Sequence, residues 1–374
     1  MKPCRFAVYA GCTIALFASA PFSARAQDRT DKVEYRDPKT QKTTSRTGAL
    51  SEENVAKVTL LSGANKTKVE IPSSEILEVT YDGEPAEVVA GRNAEKNRDH
   101  EKALAAYQEA LKKVPASNKA LHAHVEFKIL KLKAQAAEAG AGAARGPIID
   151  DLRKFRTTHP DARQTLECLD LLSRLLAAEG QPVQEVIDAF KALRSKYADS
   201  KEIAARCDLF ETQALIQDGE NLLKSNEEEA KPKFAAAQTK LQAMLAGADK
   251  ATALEIRVVL AECKAILGQL PEAVKELDDL LKEASNDHTR ATVHLGRGDC
   301  YRLTKQFRDA QWDYLWVDVI YNQDREQQAK ALYCLSEVFG ALGDNNKAKE
   351  CKDRLMSDPR LKDSQYQRRA ARAN

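Results

Sequence analysis

Histidine, cysteine and serine are the residues of this 374-residue chain whose chemistry could support catalysis or metal binding. His122 and His124 are two residues apart, about 200° around a helix, so they cannot face one metal ion. His159, His288 and His294 have no acidic or cysteine partner at a helical spacing that forms a known site. The motifs Gly-x-Ser-x-Gly and His-Glu-x-x-His do not occur. We therefore expect no catalytic residues, no metal site and no cofactor.

Six of the eight cysteines lie beyond the first 26 residues: Cys168, Cys207, Cys263, Cys300, Cys334 and Cys351. They form no Cys-x-x-Cys pair, and no histidine lies at metal-ligand spacing from them. Two interpretations stay open. Six cysteines in an exported chain could form disulfides in any of fifteen pairings, or they fill helix interfaces as small apolar residues.

A ladder of small and large residues occurs near each end of the chain. Both copies have successive spacings of 12, 4, 3 and 5 residues: Gly91, Ala103, Tyr107, Ala110 and Pro115, then Gly298, Ala310, Tyr314, Val317 and Asn322. Small residues at the first two positions let two antiparallel helices approach closely, and the large residues fill the space between them. The ladder therefore predicts a repeated helical hairpin.

The ladder resembles the tetratricopeptide repeat, a helix-turn-helix unit of roughly 34 residues. The residue that opens the second helix recurs seven times: Ala103, Ile148, Val186, Ala237, Ala273, Ala310 and Ala348. The resemblance implies a mostly α-helical, right-handed solenoid of about seven hairpins over residues 86–357, in which Ala261 and Tyr301 also pack the repeat. The match is strongest in hairpins one, five and six and weaker in hairpins two to four.

In tetratricopeptide solenoids the first helices of the hairpins line a concave groove. The resemblance places these residues in it: Glu255, Val258, Glu262, Thr292, Leu295, Asp299, Arg302, Lys330, Tyr333 and Glu337. Their mixture of charges and apolar side chains suits an extended peptide or a helix. We therefore expect a protein or peptide partner and no small-molecule substrate.

A cluster of aromatic residues surrounds Trp312 and Trp316, which lie one turn apart on the same helix face. We interpret it as a buried seam between hairpins six and seven, together with Val319 and Ile320. The alternative is an exposed anchor for a partner, because tryptophan is enriched at interface hot spots.

Residues 31–82 alternate with a period near two and contain turn residues between short runs. This pattern predicts four or five strands, enough for a small curved barrel. The stretch 71–79 resembles the last strand of SH3-like and Sm-like barrels. Because Sm-like proteins bind RNA, nucleic-acid binding is a lesser alternative, and the region lacks a basic patch interleaved with aromatics.

The two ends of the chain suggest export and a free tail. Lys2 and Arg5 precede an apolar run that ends in Ser23-Ala24-Arg25-Ala26, which predicts a signal peptide over residues 1–26, cleaved near Ala26, and a linker over residues 27–30. A lipid anchor at Cys12 is the alternative. Loss of these three basic residues with the signal peptide leaves 55 basic and 56 acidic residues, a net charge of −1.

Residues 358–374 at the other end of the chain are basic, and we expect them to be disordered.

These features favour a non-catalytic exported scaffold that acts in the periplasm or cell envelope and binds proteins. A component of outer-membrane assembly is the alternative. An enzyme with a site between the barrel and the solenoid has no support from any motif.

Overall fold

The computed structural model describes residues 30–38, 40, 42–115, 117–138, 144–223, 225–362 and 364–372. The predicted signal peptide and Cys12 lie outside these residues. Within them, no helix is long and apolar enough to cross a membrane.

The N-terminal part is a five-stranded antiparallel sheet of order β4-β3-β2-β1-β5. Its strands are β1 (Asp31–Arg36), β2 (Thr43–Glu53), β3 (Lys57–Ser62), β4 (Thr67–Pro72) and β5 (Ile76–Thr80). Strand β2 is long enough to serve two neighbours, because its first half pairs with β1 and its second half with β3. A 3-10 turn over Ser73–Glu75 joins β4 to β5.

Fourteen of the fifteen helices in the described residues form the seven predicted hairpins, each pairing an odd-numbered helix with the next. The helices are α1 (Ala86–Lys96), α2 (His100–Lys113), α3 (Lys119–Glu138), α4 (Arg145–Thr158), α5 (Thr165–Ala178), α6 (Gln184–Lys196), α7 (Lys201–Leu222), α8 (Glu227–Leu245), α9 (Lys250–Ile266), α10 (Leu270–Glu283), α11 (Asp287–Leu303), α12 (Phe307–Leu315), α13 (Arg325–Ala341), α14 (Asn345–Ser357) and α15 (Gln365–Arg372). The mostly α-helical, tetratricopeptide-like solenoid is confirmed.

The ladder residues pack the hairpins as the spacing predicts. A Cβ atom at Gly91 would lie 2.7 Å from the ring of Tyr107, and one at Gly298 would lie 2.8 Å from the ring of Tyr314. Five alanines of the repeat are fully buried: Ala103, Ala110, Ala261, Ala273 and Ala310. Pro115 is exposed just after α2, and Tyr301 is half-buried. Hairpin four has a similar contact that the ladder did not identify, between Gly219 and Phe234.

The interpretation of Trp312 and Trp316 as a buried seam is wrong. Trp312 is 65% exposed and Trp316 is 46% exposed. The inner face of this hairpin is formed by Tyr314 and Val317, both fully buried. Because Trp312 and Trp316 are each two residues from Tyr314, they project from the opposite side of the helix, where α12 continues into a π turn over Trp316–Ile320.

The expectation of a disordered tail is also wrong. A 3-10 turn over Pro359–Leu361 and helix α15 follow α14, and α15 packs on α13 and α14. Leu361 and Ser364 are fully buried, and Ala370 is nearly so. The basic charges of this segment suggested disorder, but its apolar residues anchor it to the helices.

The contact between Gly298 and Tyr314 predicts that Gly298→Ala destabilises the chain by about 1–3 kcal/mol, because a buried ring has to move. Gly340→Ala is the matched control in α13, where a Cβ meets nothing within 4 Å. Removing this helical glycine should stabilise the chain by about 0.5–1 kcal/mol. Urea unfolding of both variants measures the difference, and equal effects would contradict the packing role of Gly298.

Candidate functional site: the concave groove

Asp299 on α11 is the centre of a buried network among the residues predicted to line the groove. Its carboxylate accepts a hydrogen bond from the hydroxyl of Tyr314 (2.7 Å) and lies 2.5 Å from Nζ of Lys330 on α13. Arg302 donates to Asp299 (3.3 Å) and to Glu337 (3.5 Å). Four predicted groove residues therefore meet in one network. Asp299 is 4% exposed, so it offers almost no surface to a partner. Its role is to hold the side chains of Lys330 and Arg302 in place.

The remaining predicted groove residues are distributed unevenly. Glu255 is exposed, whereas Thr292 is half-buried and accepts a hydrogen bond from Gln327 (2.8 Å). Val258 and Leu295 are each 5% exposed, so they belong to the helix interfaces and offer little contact area to a partner.

The carboxyl groups of the groove are strongly influenced by burial. Burial raises the pKa of Asp299, but the charges of Lys330 and Arg302 outweigh it and keep that pKa below its usual value. On the neighbouring helix α9, burial and the charge of Asp299 raise the pKa of Glu262 to about 8. Burial also raises the pKa of Glu220 on α7. Thus three successive first helices supply acidic groups, and Glu220 had not been predicted from the sequence.

Helix α15 packs against residues predicted to line the groove. The ring of Tyr366 lies 5.8 Å from the ring of Tyr333, a predicted groove residue, and the guanidinium of Arg369 lies 5.3 Å from the centre of the Tyr366 ring. The backbone N–H of Gln365 donates to Glu326 (3.3 Å) at the start of α13. Helix α15 also touches α3, the first helix of hairpin two. The chain therefore places its own C-terminal helix against the surface predicted for a partner.

One sequence signal could have identified α15 as a docked helix. Tyr366 and Ala370 are four residues apart, so they share one face of a helix, and Ser364 forms its N-terminus by accepting a hydrogen bond from the backbone N–H of Gln367 (3.1 Å).

A second concave region lies between the sheet and the solenoid, a half-open cleft of about 390 Å³. Arg92, His124 and Gln164 line it. In the described residues Nε2 of His124 and Nε2 of Gln164 are buried without a hydrogen-bond partner, whereas Nε of Arg92 lies 3.1 Å from Oε1 of Glu78. Burial lowers the pKa of His124 well below its usual value, so its imidazole is neutral. None of the residues lining the cleft is a serine, threonine or cysteine. The cleft can offer hydrogen-bond donors, but its lining supplies no hydroxyl or thiol nucleophile.

The six cysteines predicted to be either paired or interfacial are all free and buried. Burial raises the pKa of each thiol, for example that of Cys168 and of Cys334 to about 12. These thiols are therefore protonated and unreactive at neutral pH.

His159 has an acidic partner on another helix, which spacing within one helix does not predict. Its Nε2 atom lies 3.0 Å from Oε2 of Glu126, and Nδ1 of His122 lies 3.5 Å from the same oxygen. The contact joins two different helices, so it depends on how the helices pack.

Comparison with known proteins identifies no matching family model and no similar curated protein sequence. A tetratricopeptide repeat protein from Parabacteroides merdae ATCC 43184 is 13% identical, with 77% of this chain and 98% of that chain covered and a TM-score of 0.48. Rap protein complexed with competence and sporulation factor is 14% identical over 75% of this chain and 78% of that chain, with a TM-score of 0.36. The apo quorum sensor NprR from B. thuringiensis is 15% identical over 74% and 77%, with a TM-score of 0.33.

The raised pKa of Glu262 predicts a distinctive pH dependence. Between pH 4.5 and about 8 the unfolded chain loses this proton while the folded chain keeps it, so the contribution of Glu262 to the free energy of unfolding falls as pH rises. Glu262→Gln should therefore be more stable than the parent by about 4 kcal/mol at pH 8 and nearly equal to it at pH 4.5. Urea unfolding at both pH values measures this gap, with exposed Glu255→Gln on the same helix as the control. A gap that does not grow with pH would contradict the assignment.

Proposed function

We propose that this protein is a non-catalytic scaffold that binds a basic helical segment of a partner protein in the concave groove of its solenoid. The observation that supports this most directly is the position of α15, which packs the ring of Tyr366 against that of Tyr333 at an angle of 44°. Because α15 is joined to the chain, it occupies the groove as an internal ligand, and a partner helix has to displace it.

The groove and α15 together define the chemistry of the partner. Glu220 supplies an acidic group that interacts electrostatically with Arg369 of α15. Glu262, with its pKa of about 8, keeps its proton at neutral pH and can donate a hydrogen bond. Tyr366 and Arg369 are three residues apart, so they lie on the same side of their helix. The partner we propose presents an aromatic residue and an arginine or lysine at the same spacing, on a helix with net positive charge.

We further propose that the protein acts outside the cytoplasm. The support is the sequence of residues 1–26, in which two basic residues precede an apolar run and a small-x-small cleavage site. N-terminal sequencing of the protein from its own cells should give Gln27 as the first residue. Labelling with palmitate that is lost in Cys12→Ala would instead support the lipid-anchored assembly component.

The sheet is proposed to be a small SH3-like barrel that buttresses the solenoid. The shared strand β2 and the 3-10 turn before β5 support this interpretation. The backbone N–H of Val55 donates to the carbonyl of Asp161 (3.0 Å), and Arg163 donates to Glu53 (3.0 Å). These contacts tie the sheet to the helices, so its role in this proposal is structural.

The groove proposal predicts that weakening the docking of α15 increases binding of an added peptide. In the full chain, Tyr366→Ala with Arg369→Glu removes the aromatic contact and reverses the charge of the internal ligand. A labelled synthetic peptide of residues 364–374 should then bind about tenfold or more tightly than it binds the parent chain. Fluorescence anisotropy measures both affinities.

Two controls separate the groove from other surfaces. Arg360→Glu reverses one charge of the same C-terminal segment, but Arg360 is exposed and pairs with Asp358, so binding should not change. Added to the released variant, Tyr333→Ala should abolish peptide binding, whereas Trp312→Ala, which removes an exposed side chain outside the predicted groove, should not. Equal peptide affinity in the parent and released chains, or binding that survives Tyr333→Ala, would contradict the proposal.

A further inference from the structure

Two histidines and a glutamate meet where α3 faces the end of α4. Nε2 of His159 lies 3.0 Å from Oε2 of Glu126, and Nδ1 of His122 lies 3.5 Å from the same oxygen. All three ligand atoms lie within 4.8 Å of one another. No other set of three His, Cys, Asp or Glu side chains meets this condition in the part of the chain that the structure describes.

The backbone holds these side chains in place. His122 and Glu126 are four residues apart, so they project from the same face of α3. His159 ends α4, where its backbone N–H donates to the carbonyl of Phe155 (2.8 Å) and its carbonyl accepts from the hydroxyl of Thr165 (3.1 Å). Its ring lies 5.0 Å from the ring of Phe155. The cluster is therefore part of the folded hairpin and does not depend on mobile surface chains.

Hydrogen bonding accounts for only part of this arrangement. The 3.0 Å contact between His159 and Glu126 is a good hydrogen bond, but 3.5 Å is too long for His122 to gain much from the same oxygen. Ligand atoms about 2.0–2.1 Å from a tetrahedral zinc ion are separated by about 3.3 Å, close to both distances.

We propose that His122, Glu126 and His159 bind a divalent transition-metal ion of the zinc type. Two imidazoles and one carboxylate are a donor set that Zn²⁺ uses, with a fourth position left for water or another ligand. Hard cations such as Ca²⁺ and Mg²⁺ prefer oxygen ligands and do not fit it. This site is independent of the proposed groove function.

The position of the site gives the metal a structural role. It joins α3 to the residue that ends α4, so a bound ion cross-links the two helices of hairpin two. Hairpins one and six are packed by a close contact between a glycine and a tyrosine ring. Helix α3 contains no glycine, so it cannot form this contact. Metal binding to the folded chain stabilises it relative to the unfolded chain, and the melting temperature should rise with metal concentration.

Titration of the full, tag-free, metal-free chain with Zn²⁺ and with Co²⁺ tests the assignment. Isothermal titration calorimetry should give one Zn²⁺ per chain, and Co²⁺ should develop the visible absorption of a site of low coordination number. His159→Ala and His122→Ala should weaken Zn²⁺ binding by about 100-fold or more and remove the rise in melting temperature.

His288→Ala is the matched control, because His288 also lies near a carboxylate, Asp324 (3.8 Å), but no third ligand joins them. Glu126→Gln keeps the size of the side chain and tests the carboxylate if a histidine variant fails to fold. Less than one tenth of a Zn²⁺ bound per chain would overturn the proposal, as would ligand variants that bind as tightly as the His288→Ala control.

Discussion

The groove depends on the close approach of two helices at a glycine. Because Gly298 has no side chain, the ring of Tyr314 packs directly on α11, and this position brings its hydroxyl to the carboxylate of Asp299. Asp299 in turn pairs with Lys330 of the next hairpin. One packing contact therefore sets the charge arrangement of the groove floor. A buried acid with these partners is costly to disturb, because removing one charge leaves the other without compensation.

Hairpin one has the same arrangement of a tyrosine packed on a glycine, with its hydroxyl bonded to an acidic side chain. Tyr107 packs on Gly91, its hydroxyl donates to Glu95 (2.6 Å), and Glu95 accepts from Lys128 of the next hairpin (2.8 Å). A tyrosine that is apolar along its ring and polar at its tip thus joins packing within a hairpin to an ion pair between hairpins. The repeat ladder records the first of these contacts but not the second.

The sequence predicted the elements better than the contacts between them. Hairpin packing depends on residues at fixed spacing, so Gly298 and Tyr314 could be assigned from the ladder alone. Glu220, which lies in an irregular hairpin, and the pairing of His159 with Glu126 depend on how separate helices meet, which spacing does not specify. Trp312 was wrongly predicted to be buried because it lies one helical turn from Trp316. Tyr314 already occupies the buried side of this helix, so the two tryptophans face away from it. The tail was misjudged because its charges were counted and Leu361 was not.

The central claim is that α15 occupies the groove as an internal ligand. A helix of eight residues is not stable alone in water, so protection of its amides requires docking against the solenoid. Hydrogen exchange of the parent chain, followed by mass spectrometry, measures this directly. If α15 is docked, exchange should be slow over residues 365–372, and it should be faster there and around Tyr333 when Tyr366 is replaced by alanine. Exchange of residues 365–372 at the rate of an unstructured peptide in the parent chain would contradict it.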